Sequence, residues 1–181
     1  MKTYISLLRG INVSGKNRIS MPDLKRLYES LGLVDVVTYI QSGNVVFDTE
    51  KSNQAEIIKL IEAGITRSFG GDVRVILRDK RNIKKILESN PFLNQRNLDP
   101  NKLYVTFLCE AATGLGVQNL PLPNNNGDEF MIYDKEVYLF CPNGYGKTKF
   151  SNTFFEKKLN ITATTRNWKT VNSLYEIAER R

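Results

Sequence analysis

The sequence predicts an α+β protein made of two copies of one βαββαβ unit, and three observations predict it. Strand-like and helix-like periodicities follow one another in the order βαββαβ plus a trailing helix, and the same order returns after about ninety residues. The strand-like runs carry apolar residues at both parities, Ile5 and Leu7 against Tyr4 and Leu8, then Val105 and Phe107 against Tyr104 and Leu108. Strands of that kind belong to sheets covered on both faces. With 181 residues, 41% of them hydrophobic and 25% charged, the chain suits one large domain or two small ones. A βαββαβ order most economically forms a ferredoxin-like sandwich, an antiparallel sheet with helices packed on it. Right-handed crossovers then order the strands 4-1-3-2.

Each element has a local reason. "KTYISLLR" (Lys2–Arg9) reads as the first strand. In "SMPDLKRLYESLG", Ser20 supplies an N-cap, Pro22 sits in the first turn and Asp23 lies three residues after the cap. Leu24, Leu27, Tyr28 and Leu31 form its apolar face, and Gly32 ends it. "DVVTYIQSGNVVFD" is a hairpin around Ser42-Gly43, and "NQAEIIKLIEAGITRSFGG" is a helix that turns Ile57, Ile58, Ile61 and Ile65 inward. "DVRVILRD" is the fourth strand and "KRNIKKILESN" a short helix stopped by Pro91. The polar, proline-bounded stretch "NPFLNQRNLDPN" reads as a linker. Beyond it, "KLYVTFLCE", "AATGLGVQNL", the hairpin "EFMIYDKEVYLFC", "FSNTFFEKKLN", "TATTRNW" and "TVNSLYEIAERR" repeat the order. The expected division is a first unit at 1–90, a linker at 91–100 and a second unit at 101–181.

Composition removes several chemistries. There is no histidine, which excludes Ser-His-Asp and Cys-His catalysis and any His-ligated metal. No metal site and no cofactor is expected. Cys109 and Cys141 each close a strand-like run at opposite sheet edges, so they are expected as small, unpaired, buried hydrophobes. No apolar run has the length of a membrane span, and the start, "MKTYISLLRGINVSGKN", lacks a signal peptide's long apolar segment. The expected compartment is the cytoplasm, with no membrane partner.

The net charge of +7 is unevenly placed. Arg9–Arg26 holds five basic residues against Asp23, and Lys147–Lys169 holds six against Glu156, which together exceed the net charge of the chain. The topology gathers each stretch with a second loop. The loop after the first strand, with Arg9, Asn12, Lys16 and Asn17, shares a sheet end with Gln41, Ser42 and Asn44. In the second half, Asn143, Tyr145, Lys147, Thr148 and Lys149 are expected near Arg166, Asn167 and Trp168. Glycines, amides and cations in this combination suit an oxyanion, whereas Asn and Gly are also plain turn residues. Trp168 either stacks on a base or anchors the last helix.

"CPNGYGKT" approaches the phosphate loop G-x-x-x-x-G-K-[ST], with Cys141 in the first glycine position and Pro142 lacking an N–H. No later strand supplies a magnesium aspartate, so the stretch reads as a basic turn and not as an NTPase loop. The third strands "GNVVFD" and "EVYLF" lack the aromatic octapeptide of RNA-recognition sheets. Three functions remain open. One is a binding protein for a phosphate-bearing ligand, a nucleotide or nucleic acid, with Arg9, Lys16, Lys147, Lys149 and Arg166 on phosphate. Another is a histidine-free enzyme on a small anion, with Lys16 or Tyr145 carrying a proton. The third is a protein-interaction or structural module.

Taken as a set, "LLRGINVSGKN", "YIQSGNVVF", "PNGYGKTKFSN" and "TTRNWKTV" resemble a bacterial family catalogued as domain of unknown function 1697. The resemblance runs from Ser6 to Leu174. It implies a small cytosolic protein with two ferredoxin-like halves and supplies no activity. Ser14 stands where the family's loop usually has glycine.

Overall fold

The computed structural model describes residues 1–13, 18–94, 98–113, 115–118, 120 and 127–181. Two compact units emerge: Met1–Lys84 with Leu174–Arg181, and Lys85–Ser173.

In the first unit, β1 (Lys2–Leu8), β2 (Val34–Tyr39), β3 (Asn44–Thr49) and β4 (Val75–Asp79) form one antiparallel sheet in the order β2-β3-β1-β4. This is the 4-1-3-2 order that right-handed crossovers dictate. Helices α1 (Met21–Ser30) and α2 (Gln54–Phe69) pack on one face over Tyr4, Leu8, Val45, Phe47, Val75 and Leu77. The start of α1 follows its sequence signal, and α2 is capped in the same way. Ser20 accepts a hydrogen bond from the Asp23 N–H, and the Asn53 side chain accepts from the N–H groups of Ala55 and Glu56. Leu24, Leu27 and Tyr28 are buried, as are Ile57, Ile61 and Ile65, while Leu31 and Ile58 are only partly so.

The phenol of Tyr28 sits in this core, edge-on to Phe47 with ring centroids 5.6 Å apart. Its hydroxyl is 2.9 Å from Ser6 Oγ, which satisfies a polar group that would otherwise be stranded. On the other sheet face Ile5, Leu7, Val46 and Ile76 are also buried, matching the apolar residues at both parities. Arg181, after the last helix, pairs with Asp48 on that face of β3.

The second unit repeats the arrangement. Strands β5 (Leu103–Leu108), β6 (Glu129–Tyr133), β7 (Glu136–Phe140) and β8 (Ala163–Asn167) lie antiparallel in the order β6-β7-β5-β8. Helix α5 (Asn152–Leu159), capped by Ser151, covers one face with an aromatic cluster. In it Phe130 lies edge-on to Phe150 at 4.8 Å and to Phe155 at 5.6 Å. Helix α3 (Lys80–Glu88) follows β4 directly, and α6 (Trp168–Glu179) follows β8 directly. Within "AATGLGVQNL", α4 spans only Leu115–Gln118.

One stretch holds a buried residue that the sequence did not mark, and one expectation changes. The stretch read as a polar linker contains Phe92, which is fully buried with its ring tilted against that of Phe140, centroids 6.3 Å apart. Cys141 is buried as expected, but Cys109 is exposed. The difference is position: Cys141 lies inside the aromatic cluster, whereas Cys109 falls one residue past the end of β5. Among the described residues, no helix is long and apolar enough to cross a membrane.

The β2–β3 turn depends on Gly43. Its φ is +73°, and a Cβ there would lie 2.6 Å from Ile11 Cδ1 and 2.8 Å from Leu8 Cβ. Gly43→Ala is therefore expected to destabilise the protein by about 2 kcal/mol or more. Urea denaturation checks this through a lower midpoint at unchanged slope; an unaltered midpoint would contradict the close approach.

Candidate functional site

The chain leaves β1 with its backbone already paired. Leu8 N–H donates to Gly43 O at 2.8 Å, and Arg9 N–H donates to Arg74 O at 2.8 Å. Gly10 and Asn12 then turn through positive φ, 70° and 54°, and Ile11 is buried against the β2–β3 turn. Asn12 is the hub of this region. Its Nδ2 donates to Gln41 O and to Ile19 O, both at 2.8 Å, and its Oδ1 accepts from Ile19 N–H at 2.9 Å. One carboxamide thus joins the beginning of the loop, its end, and the neighbouring turn.

Downstream of that clamp, Ser20 begins α1. Its hydroxyl donates to Asp23 Oδ2 and accepts from the Asp23 N–H at 3.2 Å. The Asp23 carboxylate also pairs with Arg26. The Ser20 hydrogen bond first, then Arg26, holds the Asp23 carboxyl below its ordinary range. Together these segments border an open groove of about 640 Å³ lined by Asn12, Arg18, Ile19, Ser20, Asp23 and Gln41. Arg18 is exposed at its edge.

The structure thus brings Asn12 and Gln41 together, as the strand order required. Arg18, Ser20 and Asp23 join them, although sequence reasoning does not mark any of the three as a ligand residue. The available signal is that Arg18 lies two residues before the N-cap, inside the basic excess. Asn44 is fully buried, and its Nδ2 donates to Tyr39 O at 3.0 Å and to Ser42 Oγ at 2.9 Å. Asn44 and Ser42 therefore lock the β2–β3 turn. Arg9 is half-buried and outside the groove's lining. Lys16 and Asn17 lie outside the described residues.

The second cluster is divided by the sheet. Tyr145 stacks near Tyr104, with centroids 5.2 Å apart, and its hydroxyl lies 2.9 Å from Thr165 Oγ1 and 3.0 Å from Asn152 Oδ1. The same hydroxyl accepts from the Asn152 N–H at 2.9 Å. Successive strand residues face opposite ways, so Thr165 toward Tyr145 puts Arg166 on the other face. There Arg166 is 7% exposed, and its Nη1 donates to Thr164 Oγ1 at 2.8 Å and Thr165 O at 2.9 Å. The expected meeting of Arg166 with the Lys147 loop is thereby corrected: the two share a sheet end and not a face.

Its other members have local duties. Asn167 Oδ1 accepts from Thr170 N–H at 2.7 Å and caps α6, and Trp168 is buried at that helix's first position. Trp168 is thus an anchor. Asn143, Lys147 and Lys149 are not buried, while Thr148 Oγ1 accepts from Phe150 N–H at 3.1 Å. Gly146 and Lys147 lie in a 3-10 turn at Tyr145–Lys147 with Thr148 just after it, and α5 begins only at Asn152 behind its own Ser151 cap. A phosphate loop needs its Gly-Lys-Thr to open the helix, so this turn is not one. Among the described residues, no group of His, Cys, Asp or Glu side chains has the arrangement of a metal site.

The architecture defines an α+β protein with two four-stranded antiparallel sheets and helices. The chain belongs to the family described as protein of unknown function, DUF1697, whose sequence profile matches residues 1–138. The motifs around Asn143–Lys149 and Arg166–Trp168 lie beyond the matched span. Among solved structures, the chain is similar to conserved bacterial protein SP0830 from Streptococcus pneumoniae. That match has 25% identity and a TM-score of 0.71, and it covers 98% of each chain. No curated protein matches with significance.

Burial pushes the Cys141 thiol up to about 11, only partly opposed by a hydrogen bond with Thr148. The folded state therefore keeps a proton that the unfolded state releases above the ordinary thiol value of 9.0. That contribution to stability is whole below pH 9 and is lost as the pH rises through about 11. A stability–pH profile of Cys141→Ala is expected to be flatter across this window than that of the wild type. Equal slopes would contradict the burial of the thiol.

Proposed function

We propose that the protein binds a phosphate-bearing ligand, a nucleotide or nucleic acid, in the groove at the start of α1. The observation that carries this reading is the Asn12 clamp, which holds exposed Arg18 beside the amino end of α1 in an open groove of about 640 Å³. A helix amino end and a neighbouring guanidinium both favour an anion. The Asp23 carboxylate, which would oppose one, is occupied by Ser20 and Arg26. The open form of the groove suits a ligand that leaves part of itself in solvent.

This groove sits in one of two ferredoxin-like repeats that we infer to have arisen by duplication, 1–90 and 101–181, joined by 91–100. The ladder registers support the duplication. Tyr4 pairs with Phe47 and Asp79, and Tyr104 pairs with Leu139 and Asn167. One residue further along the central strand, Ile5 faces Arg78 and Val105 faces Arg166. Both arginines are buried, and each donates to the carbonyl of the residue before it, at 2.9 Å. The residue after each caps the next helix, Asp79 through the Asn82 N–H and Asn167 through the Thr170 N–H. Unpaired thiols at Cys109 and Cys141 agree with a reducing, cytoplasmic setting.

The test combines a thermal-shift series with inorganic phosphate and nucleotides and an anisotropy titration with short RNA and DNA at two salt concentrations. Binding is expected to weaken with salt, and Arg18→Ala is expected to weaken it about tenfold, the worth of one charge-assisted contact. Lys147→Ala/Lys149→Ala is expected to bind as the wild type does. An Arg18→Ala variant with undiminished affinity, or no response to any of these ligands, would remove the reading.

A further inference from the structure

The two sheets have four edges, and three of them are guarded against further pairing. At β2 the register shifts between Val34 and Val37, and exposed Asp35 sits in that bulge at φ 51°. At β4 the Val75 N–H donates to Glu62 Oε1 at 2.9 Å, and the Asp79 N–H donates to Asn82 Oδ1 at 3.1 Å. At β8 the Ala163 N–H donates to Glu156 Oε1 at 3.1 Å. Strand β6 has no such device among the described residues. Its register with β7 is unbroken from Glu129 to Tyr133. Leu108 N–H donates to Lys135 O at 2.8 Å and Cys141 N–H to Lys102 O at 2.9 Å, which fixes the alternation along β7. The N–H and C=O groups of Glu129, Met131 and Tyr133 therefore face β7, and those of Phe130 and Ile132 point outward. Among the described residues, none bonds to those outward groups. The edge is apolar as well: Met131 is 37% and Tyr133 53% exposed, and Phe130 and Ile132 are only partly buried.

We propose that β6 is the interface for a second copy of this chain, the two β6 strands pairing antiparallel about a twofold axis at Met131. The residues select that occupant because the edge is complementary to itself. Phe130 lies opposite Ile132 of the second copy and Ile132 opposite its Phe130, and each pair exchanges both of its outward N–H···O bonds. Met131 meets Met131 on the axis, and Glu129 lies opposite Tyr133. Like faces coincide: Phe130 and Ile132 lie on the side of the aromatic cluster, and Met131 and Tyr133 on the other. Lys135, just past the end of the strand, falls diagonal to Glu129 of the second copy, within reach of a long side chain. The twofold axis makes that contact between opposite charges at both ends of the interface. Asp134 turns at φ 55°, which ends the pairing at Tyr133 before Asp128 and Asp134 would come opposite each other. An arbitrary strand from another protein would match the backbone of β6 but not this arrangement of charge. The interface uses no residue of the groove at α1, so either can fail without the other.

The experiment is sedimentation equilibrium of the full chain from low micromolar to submillimolar concentration, with amide hydrogen exchange at both ends of that range. The mass is expected to rise from one chain to two. The Phe130 and Ile132 amides are expected to gain protection as it does, while those of Met131 and Tyr133 stay protected throughout. Met131→Lys sets like charges face to face on the axis at an exposed position, and is expected to weaken the dimer about fivefold or more. Glu129→Lys is expected to weaken it as well, and Glu129→Lys/Lys135→Glu to recover it. Only a contact between copies explains such a recovery, because the two residues lie at opposite ends of one strand. A chain that stays monomeric throughout the range would overturn the proposal, and so would a dimer in which the Phe130 and Ile132 amides exchange freely. The exchange measurement needs no variant, so it settles the matter even where a substitution disturbs the fold.

Discussion

The carboxamide of Asn12 holds the functional end of the first unit together. Its three hydrogen bonds reach the backbone of Ile19 in both directions and the carbonyl of Gln41. Each bond contributes about 1 kcal/mol net, enough to offset a residue held at φ 54°. Asn tolerates that backbone conformation better than most residues, so one side chain meets both the conformational and the hydrogen-bonding need. The consequence is positional. With Ile19 fixed and buried, Ser20 is placed to cap α1, and Arg18 is left outside at the groove. Remove the clamp and the groove loses the hydrogen bonds that tie Ile19 to Gln41 through one side chain.

The strand order needed nothing beyond periodicity and handedness. β1 is a central strand because a right-handed crossover from β3 can reach only its far side, and the same holds for β5 and β7. The helix start at Ser20 was equally plain, since a short polar side chain before an amphipathic run has one common use; the caps at Asn53 and Ser151 follow the same rule. The same topology carries the β1–α1 loop to the β2–β3 turn. The meeting of Asn12 with Gln41 was therefore legible in outline, though the direction of each amide was not.

What the sequence withheld was the fate of individual polar groups. Asn12, Asn44 and Asn167 all have the look of ligand-orienting amides, and each has its partners inside the protein. A residue type that serves turns, caps and ligands alike cannot be sorted without the atoms around it. The difference at Arg166 has another origin. Reasoning from strand ends places it beside the Lys147 loop along the sheet, but the period of two puts it on the opposite face. Thr165, one residue earlier, meets Tyr145 instead. That hydroxyl contact, together with Asn152, makes Tyr145 the pin between the loop and the start of α5. Phe92 escapes a sequence reading because one aromatic in a polar, proline-bounded stretch gives no periodicity to read.

The most direct measurement is amide hydrogen exchange at Ile19, whose N–H is held by a side chain and by no strand or helix. The clamp predicts a protected Ile19 amide in the native protein, and exchange at an open-loop rate in Asn12→Ala while β1 and β3 keep their protection. Rapid exchange at Ile19 in the wild type, or protection that persists in the variant, would contradict it.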